Sequence, residues 1–237
     1  MRLGPWFELH RTHRTSPCTV KLLDSPYRFA QRCLKQNQRK EAALSIVEQF
    51  YTGLKAALPA PSLDELSFAT GASSTQLASL KEVYPLCPDS LLQLLGKVNG
   101  THWEKYEKGE VSVLILGSDI SEYPYYLRSV EQILEDRAKN DQSIADVYGD
   151  DFLENPDMLD RRIDPDVVQG ERLCFSYCMN NGGTSTLFID FAPTASGKVG
   201  QVIRFVHDPD EFVVIADSFD AYLQMLVDDK FGFILED

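Results

Sequence analysis

No apolar run in this chain approaches the roughly 20 residues that a membrane-spanning helix needs. The opening MRLGPWFELHRTHRTSP carries arginines and histidines but lacks the apolar stretch of a secretory signal. Neither a membrane partner nor export is therefore expected. Histidine is scarce, at four residues, and the five cysteines (Cys18, Cys33, Cys87, Cys174 and Cys178) fall at no metal-ligand spacing. Their odd number argues against a disulfide framework, which makes a reducing cytoplasm the expected location. A Gly-x-Ser-x-Gly nucleophile elbow is absent, and neither His102 nor His207 can be set beside a nucleophile from sequence. Internal repeats and low-complexity tracts are missing too.

What the chain does have is negative charge, unevenly placed. Residues 1–40 hold nine Lys/Arg against two Asp/Glu, a net of +7, whereas residues 41–237 hold 14 against 34, a net of −20. A body of that sign repels phosphates, so nucleic acid is not an expected partner. It suits a basic protein partner, whose approach the field would speed, and it also serves plain solubility. The first 40 residues show no sustained period and read as a basic extension outside the fold, leaving 41–237 as a single domain.

One stretch imitates a nucleotide-binding loop. APTASGKVGQV (192–202) contains Gly197-Lys198, but Ala192 stands at the first glycine of a Walker loop and Val199 at its hydroxyl. Such a loop must also open a helix, whereas VGQVIRFVH is β-branched and aromatic. Pro193 to Gly197 is therefore expected to turn a hairpin between two strands.

The apolar periodicity supplies the elements. A helix is expected from near Glu41, with Ala43, Val47, Phe50, Leu54 and Leu58 inward, ending at Pro59 and Pro61. Ser73 with Gln76 marks a capping box for a second helix with Leu77, Leu80 and Tyr84 inward. Pro88 opens a third helix, which Asn99-Gly100 stops. VSVLILG (111–117) reads as the first strand, and Ser129 with Gln132 caps the helix VEQILED. From Glu135 to Asp166 there are 11 acidic residues against four basic ones, with Gly149, Pro156 and Pro165 breaking any period, which predicts a solvated, irregular excursion. RLCFSYC, TSTLFIDF, VGQVIRFVH and FVVIADS follow as strands joined by turns too short for parallel crossovers, NNGG among them. Cys174 and Cys178 on the first of these are expected on one face as small buried apolar groups. Ser218 caps a last helix with Phe219, Leu223, Leu226 and Val227 inward. The class is α+β: an antiparallel β meander packed against several helices.

Chemistry is harder to find. His10, His13, Cys18 and Cys33 lack the spacing of a zinc site. DVYGDDFLENPD lacks the glycine position of a calcium loop. With 36 Asp/Glu, some carboxylate pair always resembles a hydrolase acid and base, so a pair identifies nothing. His207 reads as a turn residue, and Trp103 as either an interface anchor or a residue buried beside the third helix. No cofactor, metal or catalytic set is expected.

The later segments resemble a known family. YPLCPDSLLQLLGKVNGTHW, then LILGSD, then GGTSTLFIDFAPTASGKVGQVIRFVHDPDEFVVIADSFDAYLQML are similar to the SUKH superfamily, in its Smi/Knr-like branch. The correspondence falls on Pro88 to Gly100, Leu116-Gly117, Asp190 to Gln201 and Ser218 to Leu223, within roughly residues 70–227. Cys87 departs from it, standing where leucine usually precedes the proline, and the basic start has no counterpart. The resemblance implies an α+β scaffold without an active site. Bacterial members are largely immunity proteins that neutralise toxins; fungal members regulate cell-wall synthesis and signalling. The expected function is binding of a basic toxin domain, steered by Asp146, Asp150, Asp151, Glu154, Asp157 and Asp160, with the regulatory role as the alternative.

Overall fold

Ser45 opens the first helix in a computed structural model that describes residues 44–178 and 185–234. Its side chain accepts the Glu48 N–H, so α1 runs Ile46–Ala57, later than the expected start near Glu41. Val47, Phe50 and Leu54 are fully buried on one face; Ala43 lies outside the described residues. Pro59 ends this helix but also begins another. It is the N-cap of α2 (Ala60–Leu66), with Pro61 in the first turn, where a missing N–H costs nothing. Both proline-free capping boxes form as expected: Ser73 with Gln76 on α3 (Ser74–Val83), and Ser129 with Gln132 on α5 (Val130–Lys139). Between them, α4 (Asp89–Leu95) follows Pro88 and stops at Gly96, one turn before the expected Asn99-Gly100. Gly100 has a different task. Its φ is +95°, and a Cβ there would sit 2.6 Å from the Ser129 backbone nitrogen, so only glycine lets the two segments meet.

The expected strand at 111–117 does not form. A hairpin of β1 (Glu104–Tyr106) and β2 (Gly109–Val111) precedes it, and of the run only Val111 is in a strand. Val113, Ile115 and Leu116 are buried as their chemistry demands. Their backbone, however, is satisfied elsewhere: Ser112 N–H donates to the Glu65 carboxylate, and a lone bridge ties Leu116 to Tyr125. A β-branched run reports burial more surely than pairing.

The main sheet is antiparallel, in the order β4 (Leu173–Cys174), β6 (Thr186–Asp190), β7 (Gln201–Val206), β8 (Glu211–Ala216). A short β5 (Ser176–Tyr177) leaves it to pair with β3 (Tyr126–Leu127). Ser218 caps α8 (Phe219–Asp228), which packs on β7 and β8 and against α1 and α4. These helices bury the larger core on one face of the sheet. The β meander and helices together make the fold α+β, as the sequence predicts.

Two departures concern the other face. The acidic excursion is not simply solvated. It forms α6 (Ile144–Val147) and α7 (Asp150–Leu153) and contributes Ile144, Leu159 and Ile163 to a second core with Cys174, Phe188, Ile203, Phe212 and Val214. The sheet is thus sandwiched between helices and an acidic layer. Cys174 and Cys178, in turn, join opposite cores. Cys174 lies opposite Phe188 and Cys178 opposite Ser185, so four steps along one strand match three along its partner. One extra residue makes a bulge and inverts the alternation. The NNGG turn lies outside the described residues.

Candidate interaction surface

The six acidic residues proposed as steering charges all belong to the acidic layer, but they do not share one role. Asp146 accepts both the N–H and the hydroxyl of Ser143, each at 2.9 Å, and so caps α6. Those two bonds hold its carboxyl below the ordinary range. Asp150 and Asp151 occupy the first turn of α7, where the helix dipole favours negative charge, and Glu154 closes it. These four and Asp157 are exposed, and none forms an ion pair among the described residues.

Asp160 behaves otherwise. It is mostly buried and grips Arg162 through both oxygens, at 3.0 Å to Nε and 2.5 Å to Nη2. Burial alone would raise its pKa, yet the bonds from Arg162 outweigh it and hold the carboxyl low. Together the pair closes the outer edge of the sheet. Phe212 exchanges backbone bonds with Met158 and Asp160, at 2.7 and 3.0 Å. The next outward groups, Val214 N–H and C=O, meet the Asp160 carboxylate and the Arg162 guanidinium. An edge strand that would otherwise pair with another chain is covered by segment 158–162.

The turn that imitates a phosphate loop holds itself together. Gly200, at φ +89°, leads into β7 rather than a helix, and Lys198 Nζ is paired with Asp217 at 2.5 Å. Across the hairpin, Gln201 Nε2 donates to Asp190 Oδ2 at 2.9 Å and to Arg162 O at 3.1 Å. Asp190 is wholly buried and faces the equally buried Arg172, whose Nε lies 3.5 Å from Oδ1. Arg172 also donates to the carbonyls of Asp164 and Val167 and to Gln169 Oε1. The hairpin, the first strand and the acidic layer are therefore joined by one buried polar network. A second buried arginine, Arg204 in the central strand β7, is held by Asp119 and Glu211.

Other candidate groups are engaged in structure. Burial pushes the thiols of Cys87 and Cys174 up to about 12, so neither is a thiolate nucleophile near neutrality. His102 stacks on Tyr177 at 4.3 Å, and burial followed by nearby Arg128 lowers its pKa. His207 lies exposed in the β7–β8 turn with Asp210 at 2.5 Å, and Asp210 also accepts the Tyr148 hydroxyl at 2.5 Å, tying this turn to the acidic layer. Among the described residues no group of three or more His, Cys, Asp or Glu is placed to hold a metal ion. The His10, His13, Cys18, Cys33 set lies outside them. A cleft of about 330 Å³ runs between the α5–α6 connection and the sheet, floored by Phe188, Phe205 and Phe212 with Tyr148 and Tyr177 beside them. No described helix is long and apolar enough to cross a membrane.

Trp103 settles one open alternative: it is 51% exposed, on left-handed backbone at φ 54°, and is not buried beside the third helix. It sits between α2 and the β1–β2 hairpin, two elements that no periodicity in the sequence marks.

A four-stranded meander with helices on one face, an acidic layer on the other and its polar groups spent on holding hairpins defines an α+β scaffold. The family described as SMI1 / KNR4 family (SUKH-1) matches residues 71–225. The chain belongs to that family. No curated protein matches it. Within the matched region, Asp190 and Gln201 at the two ends of the hairpin belong to the buried network.

Proposed function

We propose that this protein is a non-catalytic binding domain, an immunity protein that occludes a basic toxin domain of a polymorphic toxin system. The observation that carries the reading is the acidic layer: five exposed carboxylates without ion-pair partners among the described residues, on a segment pinned to the sheet by its own apolar core. Unpaired charge on a rigid support steers a partner of opposite sign and fixes its approach. Family membership is compatible with this role and equally with regulation of cell-wall synthesis and signalling, which is the alternative. The reading places the protein in the cytoplasm, where a toxin acting from within would be met.

A tagged full chain used as bait in the organism that carries it, eluted with a salt gradient, tests the choice. A stoichiometric basic toxin domain released at high salt supports immunity; cell-wall or signalling proteins in its place support regulation. With the partner in hand, Asp150→Asn, Asp151→Asn and Glu154→Gln combined should slow association about tenfold at low salt and leave dissociation nearly unchanged. Equal association rates would sink the steering role.

A further inference from the structure

We infer that Trp103 and the carboxylates around it form a docking site for a cationic side chain, arginine or lysine, presented by a protein partner. The protein source of that cation rests on the reading above; the geometry of the groove does not.

An open groove of about 690 Å³ lies between α2 and the β1–β2 hairpin. Its lining combines apolar Pro61, Phe68 and Trp103 with the carboxylates Asp64, Glu65 and Glu110. No Lys, Arg or His lines it among the described residues. Lys105, opposite Glu110 in the hairpin register, makes no ion pair with it among the described residues. Glu65 is committed to the Ser112 N–H, but Asp64 and Glu110 point their charge at solvent. An anion would be repelled here, and a purely apolar group would desolvate carboxylates without compensation. A guanidinium or ammonium suits both kinds of lining: an indole face attracts it through the ring quadrupole and the carboxylates through charge.

The backbone that carries the indole is also held. Thr101 N–H donates to Leu127 O at 2.7 Å, Leu127 N–H returns to Thr101 Oγ1 at 3.0 Å, and Gln132 Nε2 holds His102 O at 2.8 Å. The two residues before Trp103 are thus fixed to β3 and α5, and the hairpin begins directly after it. Little backbone ordering is left to be lost on binding, the condition under which an exposed aromatic anchors an interface.

The test uses the full chain carrying Trp6→Phe, which leaves Trp103 as the sole indole of the two in the sequence. The indole N–H resonance is followed by NMR while the peptide Gly-Arg-Gly-Arg-Gly is added, with the same peptide bearing neutral citrulline as control. Saturable movement with the arginine peptide alone is expected, weakened about fivefold or more by Asp64→Asn with Glu110→Gln. Both carboxylates are exposed, so this variant folds, and an unchanged backbone spectrum verifies it. Equal binding of the citrulline peptide, or equal affinity in the double variant, would overturn the site. Self-association that Trp103→Ala abolishes would give the surface to a second copy and overturn it also. A basic partner whose affinity ignores Trp103→Ala defeats this site and leaves the proposed function standing. Arginine-peptide binding with no basic partner recovered defeats the function and leaves the site.

Discussion

Arg172 is among the largest fully buried side chains of the protein, and it is charged. Removing one partner of such a pair leaves a charge with neither water nor counter-ion, so Asp190→Leu should lose about 3–5 kcal/mol in urea unfolding. Replacing both ends, Arg172→Met with Asp190→Leu, should recover part of that loss, because the desolvated charge is gone. A double variant no better than the single would show that the hydrogen bonds of Arg172 matter more than its charge. The thiols give a second expectation at this scale. With pKa values pushed to about 12 by burial, Cys87 and Cys174 should react with a disulfide reagent at pH 8 only as fast as the protein opens, measured in a Cys18→Ser, Cys33→Ser background. Immediate labelling of either would contradict its burial. Single residues were unevenly legible. Ser73, Ser129 and Ser218 announced their helices because a hydroxyl before an apolar period satisfies backbone locally. Asp160 looked like the five carboxylates grouped with it, and Asp190 stood out only through the family likeness, since what gives each its role is a partner far along the chain, Val214 and Arg172 respectively.

At the scale of elements, the edge cover on β8 has a pH dependence whose direction follows from Asp160. Its folded pKa lies below its unfolded one, so its contribution is present above the ordinary carboxylate range and is lost as pH falls through the depressed folded value. Stability of the wild type should therefore decline below about pH 4, and Asp160→Asn should be less stable at neutrality with a shallower acid decline, read by thermal melts across pH. Arg162→Ala removes the donor to Val214 C=O and the anchor of Asp160 together, so it should raise self-association by light scattering as the edge opens. Helices α1, α3, α4, α5 and α8 and strands β6, β7 and β8 could be read because each carries its own period and punctuation; α2, α6 and α7, of four to seven residues, are too short to show one. The segment 111–117 could not, because burial of Val113, Ile115 and Leu116 is decided by their chemistry while pairing is decided by what lies beside them. The bulge that sends Cys174 and Cys178 to opposite cores was invisible for a related reason: alternation is a property of one strand, and a bulge is a property of two.

For the whole molecule, the order of helix and strand periods pointed to the α+β class, and family likeness pointed to the scaffold. Neither gave the three-layer arrangement, because an acidic stretch without a period conceals the three apolar residues, Ile144, Leu159 and Ile163, that root it in the sheet. Nor did they give the Trp103 groove, which needs the hairpin to exist before its walls can meet. Self-repulsion of a body at −20 implies that stability at neutral pH should rise when sodium chloride is raised from low ionic strength, as screening relieves it. A melting temperature insensitive to salt would show that the buried ion pairs offset the surface field. The rooting of the acidic layer has one more consequence. Its inward residues keep its course while its outward ones make no contact that the course requires, Asp146 at its cap and the Asp160–Arg162 pair at the sheet edge excepted, so the layer resembles a printed page whose binding is separate from its text. Randomising Asp150, Asp151, Glu154 and Asp157 while holding Ile144, Leu159 and Ile163 should yield mostly folded proteins in a display library. The same scaffold could then be rewritten for partners of different charge by changing those positions alone.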